Sequence, residues 1–205
     1  MDRNRRFGTT QKVLLSLAAL GVAGGMAGLG TFATFTSSTS ASQSTSSGTV
    51  TIALGATGAS TNRLTVGASN IAAGDTLQRS VDLTDSGSID LASVTLTTTA
   101  GPSSLLDTDT TNGLQMVIDR CSVAWTEAGP PYTYTCSGTT SSVVASRAVI
   151  GSNIAMSNVT STTHGNTDHL RVTLTLPSAA PNSLQSQSST ITYNFTGTQR
   201  AATNQ

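Results

Sequence analysis

Apolar and polar residues alternate along much of the chain after residue 48, with turns rich in Gly, Ser and Asn between the alternating segments. The clearest segments are Thr49–Leu54, Leu170–Leu176 and Thr190–Phe195, in which every second side chain is apolar. A two-residue period places one face of a β-strand on a core and the other in solvent. Several such strands separated by short turns predict an antiparallel β-sandwich.

Other segments predict local detail within this sandwich. The alternation over Ile89–Thr97 has one break in phase at Ala92, which predicts a β-bulge there. The segment Leu114–Trp125 predicts the longest strand. The segment Ser141–Asn158 has no clear period and is ambiguous, with a short helix as one interpretation. A turn is predicted at Asp85–Ser88.

The first 33 residues have a different pattern. Arg3, Arg5, Arg6 and Lys12 form a positive region, and an uncharged run follows from Val13 to Leu29. This order is typical of a secretory signal peptide, with the cleavage site predicted between Ala33 and Thr34. A retained membrane anchor is the alternative, because the uncharged run is long enough to span a bilayer.

The rest of the chain divides into two predicted parts. Residues 34–48 are almost wholly Ser, Thr, Ala and Gln, which cannot bury enough apolar surface to fold, so they predict a flexible arm. Residues 49–200 hold the strand signals and predict one β-sandwich domain. The predicted mature chain has six Arg and nine acidic residues and is therefore mildly acidic.

Composition supports this fold class and excludes others. The 205 residues include 29 Ser and 37 Thr, but only 10% are charged, against about 25% in an average protein. A helical bundle is disfavoured because good helix formers for its surface are scarce. A nucleic-acid-binding surface is disfavoured because there is one Lys and the nine Arg are scattered.

The chain has two cysteines, Cys121 and Cys136, with a Gly-Pro-Pro turn between them. If Trp125 paired with Tyr132 across an antiparallel hairpin, Cys121 would lie opposite Cys136 on the same face of the sheet. The sequence therefore predicts a disulfide in an exported protein. A zinc site is the alternative, but two cysteines supply half of the usual ligands.

Catalytic signatures are weak. The two histidines, His164 and His169, lack the His-Glu-x-x-His spacing of a zinc peptidase, and no Gly-x-Ser-x-Gly elbow is present. His164, Asp168 and His169 are weak candidates for a metal site, since Asp168 and His169 point to opposite faces of a strand. We expect no catalytic residue, no metal and no cofactor.

The order of several motifs resembles the TasA/camelysin family of exported, fibre-forming matrix proteins. The motifs are Gly28–Phe35, Ser47–Val50, Asn70–Arg79, Asp85–Leu91 and Asp168–Val172. Ala73 stands where the family has Pro and Asp85 where it has Asn, and both residues are compatible with turns. The cysteine pair is not part of the family's founding pattern.

The resemblance implies a jelly-roll-like β-sandwich that polymerises into cell-surface or biofilm-matrix fibres. It implies that the arm of one subunit, with Thr34, Phe35, Thr36 and Ser47, is donated as a strand to the next subunit. The partners would be further copies of the chain and other matrix or cell-surface proteins, with membrane contact only through an uncleaved leader. The alternatives are a camelysin-type surface metallopeptidase and a monomeric adhesin that binds sugars through Trp125.

Overall fold

The computed structural model describes residues 48–65 and 71–203. The predicted signal peptide with its cleavage site at Ala33 and Thr34 lies outside the described residues. The arm from Thr34 to Ser47, which includes Phe35 and Thr36, lies outside them as well. In the described part of the chain, no helix is long and apolar enough to cross a membrane.

The described residues form ten strands and two short helices. The strands are β1 (Ile52–Leu54), β2 (Thr76–Asp85), β3 (Leu91–Ala100), β4 (Gln115–Cys121), β5 (Thr126–Ala128), β6 (Thr133–Thr135), β7 (Thr140–Ala148), β8 (Gly151–Ala155), β9 (Thr167–Thr175) and β10 (Ile191–Gln199). The helices are α1 (Leu105–Thr108) and a 3-10 turn at Asn182–Leu184.

The strands assemble into two antiparallel sheets and a separate hairpin. The five-stranded sheet has the order β1-β2-β9-β4-β7, and the three-stranded sheet has the order β10-β3-β8. Among the described strands, β5 and β6 pair only with each other. The chain crosses repeatedly between the two large sheets, as in a jelly roll, and the predicted all-β sandwich is confirmed.

The core lies between the inner faces of the two sheets. Leu83, Ile118 and Leu170 from the five-stranded sheet are fully buried, as is Leu96 from the three-stranded sheet. Alternate residues of these strands are mostly Thr and Ser and face outward, which explains the high Thr content. Burial of each large aliphatic side chain stabilises the fold by about 1.5–3 kcal/mol.

Two local predictions from the sequence are confirmed. Ser93 pairs with Thr198 and Leu91 with Gln199, so Ala92 is the extra residue of a bulge in β3. The predicted turn follows β2, where Asp85 Oδ1 accepts a hydrogen bond of 2.9 Å from the backbone N–H of Gly87.

Two other predictions are wrong. Ser141–Asn158 holds no helix but the strands β7 and β8. Two register shifts against β4 place extra residues in β7, so that the neighbours Val143 and Val144 are both buried and the two-residue period is lost. The longest strand does not extend over Leu114–Trp125, because β4 ends at Cys121.

The segment Gly48–Thr51 continues the edge of the five-stranded sheet ahead of β1. The carbonyl oxygens of Thr49 and Thr51 accept hydrogen bonds of 2.8 and 2.9 Å from the backbone N–H groups of Ser88 and Ser86. Gly87 permits this close approach, because an added Cβ would overlap the carbonyl oxygen of Thr49 and lie 3.0 Å from Thr51 N. The chain is therefore fixed to the fold from residue 48 onward.

We predict that Gly87→Ala detaches Gly48–Thr51 from the β2–β3 turn. The new Cβ meets backbone rather than a movable side chain, so stability falls by about 1–3 kcal/mol, as in other overpacked sites. Hydrogen exchange of a peptide covering residues 48–54, together with thermal unfolding, measures the effect. Gly101→Ala is the matched control, since nothing lies within 4 Å of a Cβ there. Equal exchange in both variants would contradict the prediction.

Candidate functional site

The four outer strands of the two large sheets differ in how well their free edges could pair with another strand. Strand β1 has only three residues. Strand β7 contains the two register shifts, and β8 has a shift next to Asn153, whose φ is 50°. Bulges and short strands are the usual devices that prevent edge-to-edge pairing. Two of the four edges are therefore interrupted, and the regular ladder of the third, β1, is only three residues long.

Strand β10 has none of these devices. Its residues Ile191–Thr198 pair with β3 in unbroken register, and the strand contains neither a charged residue nor Pro. Within the described ranges, no strand pairs with its other side. A long, regular and uncharged edge of this kind is a template for pairing with another chain.

The side chains of β10 that face the core are also incompletely covered. Ile191, Tyr193 and Phe195 are partly exposed although they pack against the core. Their cross-strand neighbours Leu96 and Thr98 in β3 are almost fully buried. An additional strand beside β10 would cover this apolar surface.

The disulfide between Cys121 and Cys136 is present, as the sequence predicts, with its Cα atoms 5.7 Å apart. The predicted register of the hairpin is wrong. Glu127 pairs with Tyr134, whereas Trp125 does not pair with Tyr132. Because β4 ends at Cys121, the disulfide joins the end of the large sheet to the chain that leaves the hairpin.

Contacts with strand β9 hold Trp125 away from the position that the predicted hairpin gives it. Its indole N–H donates a hydrogen bond of 2.9 Å to the carbonyl oxygen of His169 in β9. The guanidinium of Arg171 lies 4.4 Å from the Trp125 ring centroid, and it also forms a 2.8 Å ion pair with Asp119. The indole therefore docks the hairpin on the outer face of the five-stranded sheet. This packing uses a ring that sugar binding would need free.

Glu127, the one Glu of the chain, connects the hairpin to the segment between β1 and β2. It forms a bidentate pair with Arg63, with Nε–Oε2 and Nη2–Oε1 distances of 2.9 and 2.6 Å. The hydroxyl of Tyr134 donates a further hydrogen bond of 2.8 Å. The hydrogen bonds from Arg63 are the main reason that the pKa of Glu127 lies below its ordinary value. No local pattern in the sequence indicates this pair, because its members are 64 residues apart.

We predict that the double variant Cys121→Ala/Cys136→Ala loses about 3 kcal/mol of stability, the chain-entropy value for a loop of this length. The two-stranded hairpin should lose most protection, since a hairpin of three-residue strands is marginal by itself. Urea unfolding and hydrogen exchange of residues 122–139 measure both effects. Ser137→Ala, an exposed neighbouring substitution, is the control. Unchanged exchange in the hairpin would contradict the prediction.

The three candidate metal ligands do not converge. His164 is exposed, and its backbone N–H donates to Asp90 Oδ1. Asp168 is fully buried, whereas His169 lies on the other face of β9 with its Nδ1 atom 2.8 Å from Asp82 Oδ1. In the part of the chain that the structure describes, no group of three His, Cys, Asp or Glu side chains is placed to hold a metal ion.

Asp168 instead fixes the loop before β9. It accepts hydrogen bonds from the backbone N–H groups of Thr160 and Ser161, and it lies 2.6 Å from Arg120 Nε. Burial alone would raise the pKa of Asp168, but the hydrogen bonds from Ser161 and Thr160 outweigh it and hold the pKa below its ordinary value of 3.8.

We predict that Asp168→Asn costs about 3 kcal/mol at neutral pH, because it removes one partner of a buried ion pair. The folded-state pKa lies below the unfolded value, so this contribution is fully present above about pH 4 and is lost as the pH falls through the folded pKa. Urea unfolding between pH 7 and pH 2 should therefore show wild type and variant converging in acid. Asp90→Asn, at an exposed carboxylate, is the control, and a difference independent of pH would contradict the prediction.

The family model described as camelysin metallo-endopeptidase matches residues 9–204. The chain belongs to the camelysin family. The resemblance that the sequence motifs indicate is thereby confirmed. A search of curated proteins finds no match.

The description of the camelysin family implies a catalytic metal, but the donor set of this chain does not fit one. Both histidines of the sequence lie in the described part, where His164 is exposed and the Nδ1 atom of His169 is occupied by Asp82. Asp168 is already bonded to Arg120 and to two backbone N–H groups. A catalytic zinc site needs three converging protein ligands and an open position.

Proposed function

We propose that this camelysin-family chain is a secreted structural subunit. It polymerises into cell-surface or biofilm-matrix fibres by donating its N-terminal arm as a strand to a neighbouring subunit. Its partners are other copies of itself and other matrix or cell-surface proteins.

The observation that carries the proposal is the open edge of β10. Monomeric β-proteins protect such edges; in this chain β7 and β8 are interrupted and β1 is short, whereas β10 is long, regular and uncharged. Selective protection of three edges favours a protein whose remaining edge is used for pairing. Strand addition supplies affinity through backbone hydrogen bonds and does not depend on a specific side-chain code.

The composition of the arm supports its role as the donor. Residues 34–47 contain no charged residue and no Pro, so nothing in the segment opposes pairing along a strand edge. The segment joins the fold at Gly48–Thr51, which is already hydrogen-bonded to the edge of the sheet. The disulfide is consistent with export, because such bonds persist in oxidising compartments.

A structural role is favoured over turnover. The camelysin description suggests peptidase activity, but neither the motif nor the geometry of a zinc peptidase is found in the described residues. The aromatic rings of the hairpin are engaged by arginines, Trp125 by Arg171 and Tyr132 by Arg63 and Arg79. This favours a packing role for both rings over sugar binding.

We predict that removal of residues 34–47 leaves a folded monomer that no longer polymerises. Gly48 and Thr49 stay in place, so the contacts with Ser88 are kept. Circular dichroism and size-exclusion chromatography test the fold, and negative-stain electron microscopy tests for fibres. The chain beginning at Thr34 is the matched control and should form fibres.

Fibres from the shortened chain would contradict the donor role of the arm. A chain beginning at Thr34 that stays monomeric at high concentration and at every pH would overturn the proposal as a whole. Casein cleavage that is lost with a chelator and in His169→Ala would favour the peptidase alternative instead.

A further inference from the structure

We propose that the free edge of β10 receives the arm of another copy in antiparallel orientation, and that the copies stack end to end along the strand direction. This inference rests on the proposed function and specifies its acceptor, its polarity and the reason that the exchange occurs between copies.

The start of the described chain and the free edge lie on the same side of the sandwich. Strand β1 is the outer strand of one sheet, and β10 is the outer strand of the other. The two strands are in contact, because a Cβ added to Gly197 would lie 2.6 Å from Ile52 Cδ1. The acceptor edge and the root of the arm are therefore side by side in every subunit.

The root of the arm and the C-terminal end of β10 also lie at the same end of the sandwich. Thr49 is hydrogen-bonded to Ser88, in the turn between β2 and β3. At that end Gln199 pairs with Leu91, and Arg200 N donates to the carbonyl oxygen of Asp90. The other end of β10, at Ile191, lies beside Ala100.

This arrangement prevents a subunit from completing its own edge in antiparallel orientation. Antiparallel pairing with β10 places the last residues of the arm beside Ile191 and its first residues beside Gln199. In the same subunit, Gly48, to which the arm is joined, lies at the Gln199 end, about 26 Å from Ile191 at 3.3 Å per residue. Within a subunit, the arm could therefore pair with β10 only in parallel orientation. The sheet that contains β10 is antiparallel.

A second copy stacked beyond the β2–β3 turn removes this conflict. The Ile191 end of its β10 then lies next to Gly48 of the first copy, where the arm of that copy joins the fold. The arm can run along that edge without reversal, and its 14 residues span about 46 Å when extended, enough for the nine residues of β10. Because donor and acceptor surfaces differ, this contact is open-ended and produces a linear polymer.

The hydrogen-bonding groups of β10 suit this partner. Thr190 O accepts from Gly101 N, and Thr190 N donates to Pro102 O. Since bonded and non-bonded pairs alternate in an antiparallel ladder, the amides of Ile191, Tyr193 and Phe195 point away from β3. The same three residues carry the incompletely covered apolar side chains.

Hydrogen exchange of the mature chain, before and after assembly, tests the acceptor. Amides of residues 191–197 should become protected in the polymer, whereas the edges of β7 and β8 (residues 140–155) should exchange as before. Protection of residues 140–155 instead would overturn the β10 acceptor while leaving the proposed function intact. A chain that forms no polymer would overturn both.

A pair of lysine substitutions provides a test that does not depend on exchange. Ile191→Lys places a charge on the core-facing side of the edge and should slow elongation about tenfold or more, because such charges block edge pairing. Thr192→Lys adds the same charge on the exposed face and should change the rate less than about twofold. Equal rates for the two folded variants would contradict the proposal.

Cross-linking tests the polarity. With a short bis-maleimide, Ser46→Cys/Thr192→Cys should give a ladder of covalent oligomers, whereas Ser40→Cys/Thr192→Cys should not. The two native cysteines are joined to each other and do not interfere. An intramolecular cross-link between positions 40 and 192 would show that the arm folds back on its own subunit in parallel orientation and would overturn the inference.

Discussion

Backbone groups at the margins of two stacked sheets are the constraint on which this structure depends. The apolar residues that alternate along the strands hold the sheets together, but each outer strand still presents N–H and C=O groups that lack a partner in the sheet. Three of these outer strands are protected against edge pairing: β1 has only three residues, β7 contains bulges and β8 has a kink. The margin at β10 is left regular, and it adjoins the segment by which the N-terminal arm joins the fold.

On the outer face of the five-stranded sheet, side-chain contacts and the disulfide hold the hairpin in place. In the described part of the chain, the hairpin β5–β6 shares no backbone ladder with that sheet and is held by the disulfide, the indole of Trp125 and the Glu127–Arg63 pair. The partner of Glu127 lies in the segment after β1, so the hairpin also secures the edge on which the arm is rooted. A small, locally unstable element thus acts as a brace between distant parts of the chain.

Sequence reasoning succeeded where local pattern and final packing agree. The alternation of Leu170–Leu176 corresponds to β9, and the phase break at Ala92 is a real bulge. It failed where tertiary contacts overrule the pattern. The position of Trp125 is decided by the carbonyl of His169, and the bulges in β7 bury adjacent valines.

Helix α1 has a sequence signal, since Ser104 and Asp107 form a capping box. No sequence signal predicts the acceptor edge of β10, because whether a strand is central or outermost is decided by pairing between distant segments.

The hydrogen bonds from Ser86 and Ser88 to the chain ahead of β1 have a mechanical consequence. They lie across the chain direction, so a pull on the arm along the strand axis loads them in shear. Bonds loaded in shear share the force and must break together, whereas bonds peeled from one end break one at a time. The join between arm and sandwich is therefore arranged to carry tension.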